Sequence, residues 1–254
     1  MKHPKLERWI VLPDIHAPYE DKASLAAVEQ LMAELRFDGY LQLGDLIDFE
    51  CISSHNANNL RAVEGRRIKY EYEAAAKILD RHQALVRANN KDAQFVILEG
   101  NHEYRMTRYI DANPAVEGFM EVPSALEFGR RKIRWVPYWS EGKTFKIGKA
   151  TFIHGRYGGE HHAKKHATKF GCNIFYGHIH DVQAFSLEQL GQDSTLVGQS
   201  LGCLCLPQKY MRGAPDKWQQ AFAIFEFFPD GFFSYQVIRI FKNRFAVNGK
   251  IYSA

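Results

Sequence analysis

The chain is short of the residues that staple small extracellular folds together. Its four cysteines, Cys51, Cys172, Cys203 and Cys205, lack the paired spacing of a metal finger, and their number does not demand disulfides. A reducing cytoplasm is therefore the expected setting. No apolar run approaches the roughly 18 residues of a membrane span, and MKHPKLERWIVLPDIHAPY lacks the layout of a secretion signal. Neither a membrane partner nor export is expected. Internal repeats, low-complexity tracts and Pro/Gly/Ser linkers are also missing, so a single domain over residues 1–254 is the simplest organisation. Nor does charge of one sign dominate. A net charge of +4 and a pI near 8.8 favour anionic partners mildly and fall far short of a nucleic-acid signature.

What the chain does have is core material, 46% hydrophobic and 13% aromatic residues, arranged in a recurring pattern. FVILEGNH (Phe95 to His102) is an apolar run closed by an acidic residue, a glycine, and then two groups able to bind a metal or move a proton. WIVLPDIH, YLQLGDLID, TFIHG and NIFYGHIH follow the same plan. Each reads as a buried strand whose end presents polar chemistry.

Between these ends, Asp21 to Leu35 carries apolar residues at helical spacing, so the first strand, this helix and the strand Tyr40 to Leu43 form a parallel crossover unit. A long helical pattern spans Arg61 to Lys91, with His82 on its apolar face as a core histidine and its surplus of basic residues on a solvated side. Glu103 to Ile110 and Glu160 to Phe170 read as helices, and Pro114 begins a short one. Ile133 to Val136, Thr144 to Ile147, Thr151 to Ile153 and Cys172 to Tyr176 read as strands, and Ala221 to Phe228 with Phe232 to Ile240 as an antiparallel hairpin.

The strand ends collect Asp14, His16, Asp45, Asn101, His154, His178 and His180. Each alone has an ordinary structural explanation, as a cap, a turn residue or a core histidine. Together they form a mixed nitrogen and oxygen set without thiolates, which suits manganese, iron, zinc or nickel better than calcium or magnesium. Open sheets present their ligands at such strand ends.

In order, Asp14-Ile-His16, Gly44-Asp45-Leu-Ile-Asp48, Gly100-Asn101-His102-Glu103, His154-Gly155 and Gly177-His178-Ile-His180 resemble the five-motif signature of calcineurin-like metallophosphoesterases across residues 14–180. The GDLIDF and SSHN arrangement looks, more loosely, like members encoded by phages. The resemblance implies an α/β (α+β) fold, a four-layer α/β/β/α sandwich of two mixed sheets flanked by helices, with residues 181–254 adding strands to the second sheet and loops to the substrate rim. It implies two divalent ions, manganese first among the candidates. Asp14, His16 and His180 would hold one and Asn101, His154 and His178 the other, with Asp45 between them. It further implies a bridging hydroxide attacking a phosphate ester in line, His102 protonating the leaving oxygen or stabilising the transition state, and Asp48 holding the His102 ring. Glu103 would fix its turn.

The resemblance implies a phosphate-ester substrate, a diester or monoester of the nucleotide or nucleic-acid kind. A protein serine/threonine phosphatase is disfavoured, because Phe49 and Glu50 follow Asp48 where such enzymes carry an arginine. A non-catalytic metal-binding scaffold is the other alternative, set against the retention of His102 and of every ligand. Arg105 and Arg108, three residues apart on one helical face, and Arg156 and His55 are candidate substrate contacts, with Lys209, Tyr210, Arg212 and Trp218 as a second rim. His161, His162 and His166 lack the glutamate of a zinc-peptidase helix and read as a solvated helix rich in lysine.

Overall fold

The computed structural model describes residues 6–56, 58–188, 196–207 and 218–254. Its backbone is built from strands buried on both faces. In β1 (Glu7–Leu12), Ile10 and Leu12 enter one core while Trp9 and Val11 enter another. The same alternation splits Tyr40 from Leu41 beside β2 (Gly39–Gln42), and Phe95 and Ile97 from Val96 and Leu98 in β3 (Gln94–Leu98). A strand with period-two side chains that are apolar on both sides has to be covered twice, and that requirement sets the layers.

On one side lie α1 (Lys22–Glu34) and α2 (Ile68–Asn89). The first is capped by Asp21, whose carboxylate accepts the backbone N–H of Ser24 at 3.1 Å. Leu25, Val28, Leu31 and Met32 meet Ile78, Leu79 and Val86 over the sheet. The long helical pattern is broken at its start: Leu60–Val63 is a 3-10 turn, and Gly65 at φ +79° interrupts the chain before α2 begins. His82 is buried, with its ring nitrogen 2.9 Å from the Tyr40 hydroxyl.

Next in the chain come α3 (Glu103–Ala112), the four-residue turns α4 (Val122–Ala125) and α5 (Phe128–Arg131), β4 (Ile133–Val136), and α6 (Tyr138–Glu141). Strands β5 (Phe145–Ile147), β6 (Ala150–Phe152), β7 (Asn173–Tyr176), β8 (Ala184–Leu187) and β9 (Leu196–Ser200) make the second sheet in the order β5-β6-β7-β9-β8. Phe152 and Phe175 point from it into the core between the sheets, against Trp9, Val96 and Phe225. Ile153, Ile174 and Tyr176 face outward to α7 (His162–Phe170). The architecture is thus an α/β four-layer sandwich of two mixed sheets with helices on the outer sides.

One placement differs from expectation. The hairpin β10 (Ala221–Phe227) and β11 (Phe233–Arg239) joins the first sheet, not the second, giving the order β11-β10-β1-β2-β3-β4. Ile10 pairs with Ile224 and Val11 with Ala223 in antiparallel register. The reason lies in β1, which is buried on both faces and would otherwise be an uncovered edge. A last hairpin, β12 (Arg244–Val247) with β13 (Lys250–Ser253), sets Phe245 and Tyr252 into the helix-side core beside α1. Among the described residues, no helix is long and apolar enough to cross a membrane.

Candidate metal centre

Parallel pairing of β1, β2 and β3 brings the turns after them to one edge, and the turns after β6 and β7 in the second sheet reach the same place. The backbone is bent hard there. Among the described residues, eleven other than glycine have positive φ, and Asp14, His16, Asp45, His178 and His180 are five of them. Such strain concentrates where side chains must be aimed. Gly100 and Gly177 permit the close approach: a Cβ on the first would collide with the Asp45 carboxylate and one on the second with that of Asp14.

The chain braces these turns with its own hydrogen bonds. Glu103, buried at the start of α3, accepts the backbone N–H groups of Asp45 at 2.8 Å, Ile47 at 2.9 Å and Gly100 at 2.9 Å. Burial and the nearby Asp45 carboxylate push its carboxyl up to about 7. The side-chain amide of Gln42 both donates to and accepts from the Gly44 backbone, at 2.8 and 2.7 Å. Asp45 Oδ1 in turn accepts the His102 N–H at 2.9 Å.

At the centre, Asp45 Oδ2 lies 3.5 Å from His16 Nε2 and 3.3 Å from His154 Nε2. Asp14 Oδ1 and His180 Nε2 are 3.2 Å apart, and His180 Nε2 is 3.2 Å from His16 Nε2. On the other side, Asn101 Oδ1 is 2.9 Å from His154 Nε2, and the His178 ring packs 5.0 Å from that of His154. Two groups, Asp14 with His16, Asp45 and His180, and Asp45 with His154 and His178, are each compact enough to hold one metal ion. They share Asp45.

The donor set fits cations on chemical grounds. His154 Nδ1 donates to the Leu43 carbonyl at 2.9 Å and His16 Nδ1 to Asp48 Oδ2 at 3.0 Å, which leaves both Nε2 lone pairs aimed at oxygen lone pairs. Only a proton or a metal ion relieves that opposition. Burial opposes the charge on His154, and Asp45 outweighs it, raising the imidazole to about 9. Asp45 itself is held well below the usual carboxylate range, burial being overcome by the surrounding imidazoles. Burial and the charge of His154 push His178 down to about 4, leaving a neutral nitrogen donor.

Beside this centre opens a cleft of about 360 Å³ lined by Asp45, Asp48, Glu50, Ser53, His55, Asn56, Asn101, His102, Arg105, His178 and His180. His102 Nδ1 donates to the backbone carbonyl of Asp48 at 2.6 Å, and Arg105 donates to His102 Nε2 at 3.1 Å and to the same carbonyl at 2.8 Å. Asp48 thus meets the His102 ring through its backbone carbonyl, with its carboxylate farther off. That carboxylate is the partner of His16, its nearer oxygen being 3.5 Å from His102 Nδ1, and it is the Asp48 backbone that orients His102.

A profile of the calcineurin-like phosphoesterases matches residues 8–182, which includes every one of these turns. The chain belongs to that family. The chain is 24% identical to the Gene 54 protein of Mycobacterium phage L5 over 97% of this chain and 98% of the relative, and equally to that of phage D29 over 97% and 98%. Among solved structures it is similar to zinc-complexed Vps29 from Entamoeba histolytica (12% identity, TM-score 0.45, 97% of each chain). Nuclease MPE from Pseudomonas putida is another (13% identity, TM-score 0.39, 97% and 86%).

Of the residues expected to contact substrate, Arg105 and His55 line the cleft, while Arg108 and Arg156 are exposed and outside its lining. Three residues along α3 carry Arg108 about 4.5 Å up the helix axis, away from the site. Lys209, Tyr210 and Arg212 fall outside the described residues. Trp218 packs against His180, ring centroids 4.1 Å apart, and donates to the Cys205 carbonyl at 2.8 Å. The solvated-helix reading of the histidine trio holds only for His161. His162 and His166 are buried against the sheet, where His162 bonds Tyr176 at 2.7 Å and Asp181 at 3.0 Å, and His166 Nε2 accepts the Arg156 N–H at 3.1 Å. The i, i+4 spacing that puts them on one face puts them on the inner one.

Cys205 went unrecognised in the sequence. It is fully buried, and its sulfur forms a further metal-capable group with His16 and His180. Spacing among the cysteines carries no trace of this, because the neighbours are histidines far away in the chain.

Proposed function

We propose that the protein hydrolyses phosphate esters, and phosphodiesters of the nucleotide or nucleic-acid class in preference to monoesters, with two divalent first-row ions such as manganese. The observation that carries the reading is the shared carboxylate: one Asp45 oxygen stands between His16 and His154, at the meeting of two donor groups. Asp14, His16 and His180 would hold one ion, Asn101, His154 and His178 the other, and Asp45 both. Bound there, the ions supply Lewis acidity, charge neutralisation and a lowered pKa for water.

The chain's own part is to orient and to move a proton. Arg105 is the single Lys or Arg among the described residues lining the cleft, and Glu50 lines it too. One fixed cation suits the single charge of a diester better than the double charge of a monoester. His102 is held neutral, pushed down to about 3 by burial and by the charges of His16 and Arg105 against Asp45 and Asp48. An arriving phosphoryl oxygen competes with His102 Nε2 for Arg105. The freed nitrogen, 3.8 Å from Asp45 Oδ2, then takes up a proton from solvent and gives it to the leaving oxygen.

The test is hydrolysis of a nitrophenyl monoester, a bis-nitrophenyl diester and single-stranded DNA after EDTA treatment, with manganese, nickel or zinc restored separately. Faster turnover of the diester or of DNA is expected. Preference for the monoester would overturn the diester assignment, and no hydrolysis with any ion would leave a metal-binding scaffold.

A further inference from the structure

The sulfur of Cys205 and one ring nitrogen each of His16 and His180 lie within 4.8 Å of one another, all three residues being buried. The two imidazoles face each other through Nε2 at 3.2 Å, and His180 Nε2 also stands 3.2 Å from Asp14 Oδ1. The thiol therefore lies beside two of the four donors of the first metal position, His16 and His180. Its backbone is fixed there. Leu204 N–H donates to the Asp14 carbonyl at 2.9 Å and Leu206 N–H to the Tyr19 carbonyl at 2.9 Å. The Cys205 carbonyl accepts from Trp218 Nε1 at 2.8 Å and from the side-chain amide of Gln220. Trp218 in turn covers the His180 ring.

We infer that Cys205 is a ligand of the first metal ion, completing a sphere of Asp14, His16, Asp45 and His180 with one sulfur. This rests on the metal-centre reading above. Three donors within 4.8 Å of one another are close enough to share one cation, at about 2.0–2.1 Å for nitrogen and about 2.3 Å for sulfur. On binding, a metal–sulfur bond replaces the S–H bond and the proton passes to solvent. The chemical consequence is selectivity. A thiolate is a soft donor, so the first position prefers zinc, iron or cobalt, while the second, with Asn101, His154 and His178, keeps only nitrogen and oxygen donors and accepts manganese.

The experiment loads the metal-free full chain with cobalt(II) and records its absorption spectrum, then repeats this for Cys205→Ser and Cys203→Ser. X-ray absorption of the zinc-loaded wild type accompanies the spectra. Expected are an intense near-ultraviolet sulfur-to-cobalt band in the wild type and in Cys203→Ser, its loss in Cys205→Ser with the weaker d–d bands retained, and a zinc–sulfur shell at about 2.3 Å. Cobalt d–d bands in the wild type without the sulfur band would overturn the inference and leave the metal centre standing. A sulfur band that survives Cys205→Ser would overturn it in favour of another cysteine. No cobalt bound at all would remove the metal centre, and this inference with it.

Discussion

The carboxylate of Glu103 accepts the backbone N–H of Asp45 at 2.8 Å, tying the turn after β3 to the turn after β2. Ile47 and Gly100 donate to the same side chain. Glu103→Ala would leave three buried donors without their acceptor, at roughly 1–3 kcal/mol for each that water fails to reach. The expected loss is about 3 kcal/mol or more in urea unfolding, with Glu103→Gln, which keeps one accepting oxygen, falling between. An Ala variant within 1 kcal/mol of the wild type would show that the turns hold themselves.

Cations that bind only the folded chain stabilise it by mass action, about 3 kcal/mol at a concentration a hundred times Kd. EDTA should therefore lower Tm and zinc or manganese should raise it, by some 2–4 °C per kcal/mol for a chain of this size. Asp45→Asn should abolish most of the metal-dependent rise, since it neutralises the oxygen between His16 and His154. A thermal scan that ignores both chelator and metal would refute the centre.

His102 stands in a compact group with His16 and Asp48, but its two ring nitrogens are occupied by the Asp48 carbonyl and Arg105. His102→Asn should keep the metal-dependent shift in Tm while turnover falls about 10²–10⁴-fold. Retained turnover would remove the proton-transfer role.

His166 supplies a pH test away from the cleft. Burial, with the nearby charge of Lys165, pushes it down to about 4. Its neutral ring accepts the Arg156 N–H, donates through Nδ1 to the His162 carbonyl at 2.8 Å, and stacks on Tyr176 at 3.8 Å. Because the folded-state value lies below the ordinary 6.5, the unfolded chain takes up the proton first as pH falls. The stabilisation is complete above pH 6.5 and is lost between 6.5 and 4, about 1–2 kcal/mol by pH 5. Urea melts at pH 7.5 and 5 should show that loss in the wild type and a smaller one in His166→Gln. Equal losses in both would place the acid sensitivity elsewhere.

The strand ends were legible in the sequence because each is a local pattern, an apolar run followed at once by Asp, Asn or His, and FVILEGNH shows it within eight residues. Local patterning also gave α1, β4 and the β10–β11 hairpin to within a residue or two. What stayed hidden depends on contacts between distant segments. Which ring the Asp48 carboxylate meets depends on where the turns carrying His16 and His102 bring the two imidazoles. Whether His162 and His166 face water is decided by the sheet beneath them. Cys205 reaches His16 and His180 only because the segment around Leu204 docks on the Asp14 turn. The strand at Leu196–Ser200 is likewise unmarked, its Gly198 being required by the close approach of Ala163 in α7.

The antiparallel pairing of β10 with β1 also has a bearing on how the protein is made. Arg8 and Glu226, ion-paired across that seam, are separated by 218 positions along the chain. Until the ribosome has released the closing hairpin, the strand leading to Asp14 and His16 has one flank of unpaired amides and carbonyls, open to another chain. Closing so long a loop is slow and comes late. The motifs from residue 14 to 180 can therefore be synthesised in full while the pocket they form still waits for its frame, and a nascent chain stalled before residue 221 should be both inactive and prone to aggregate.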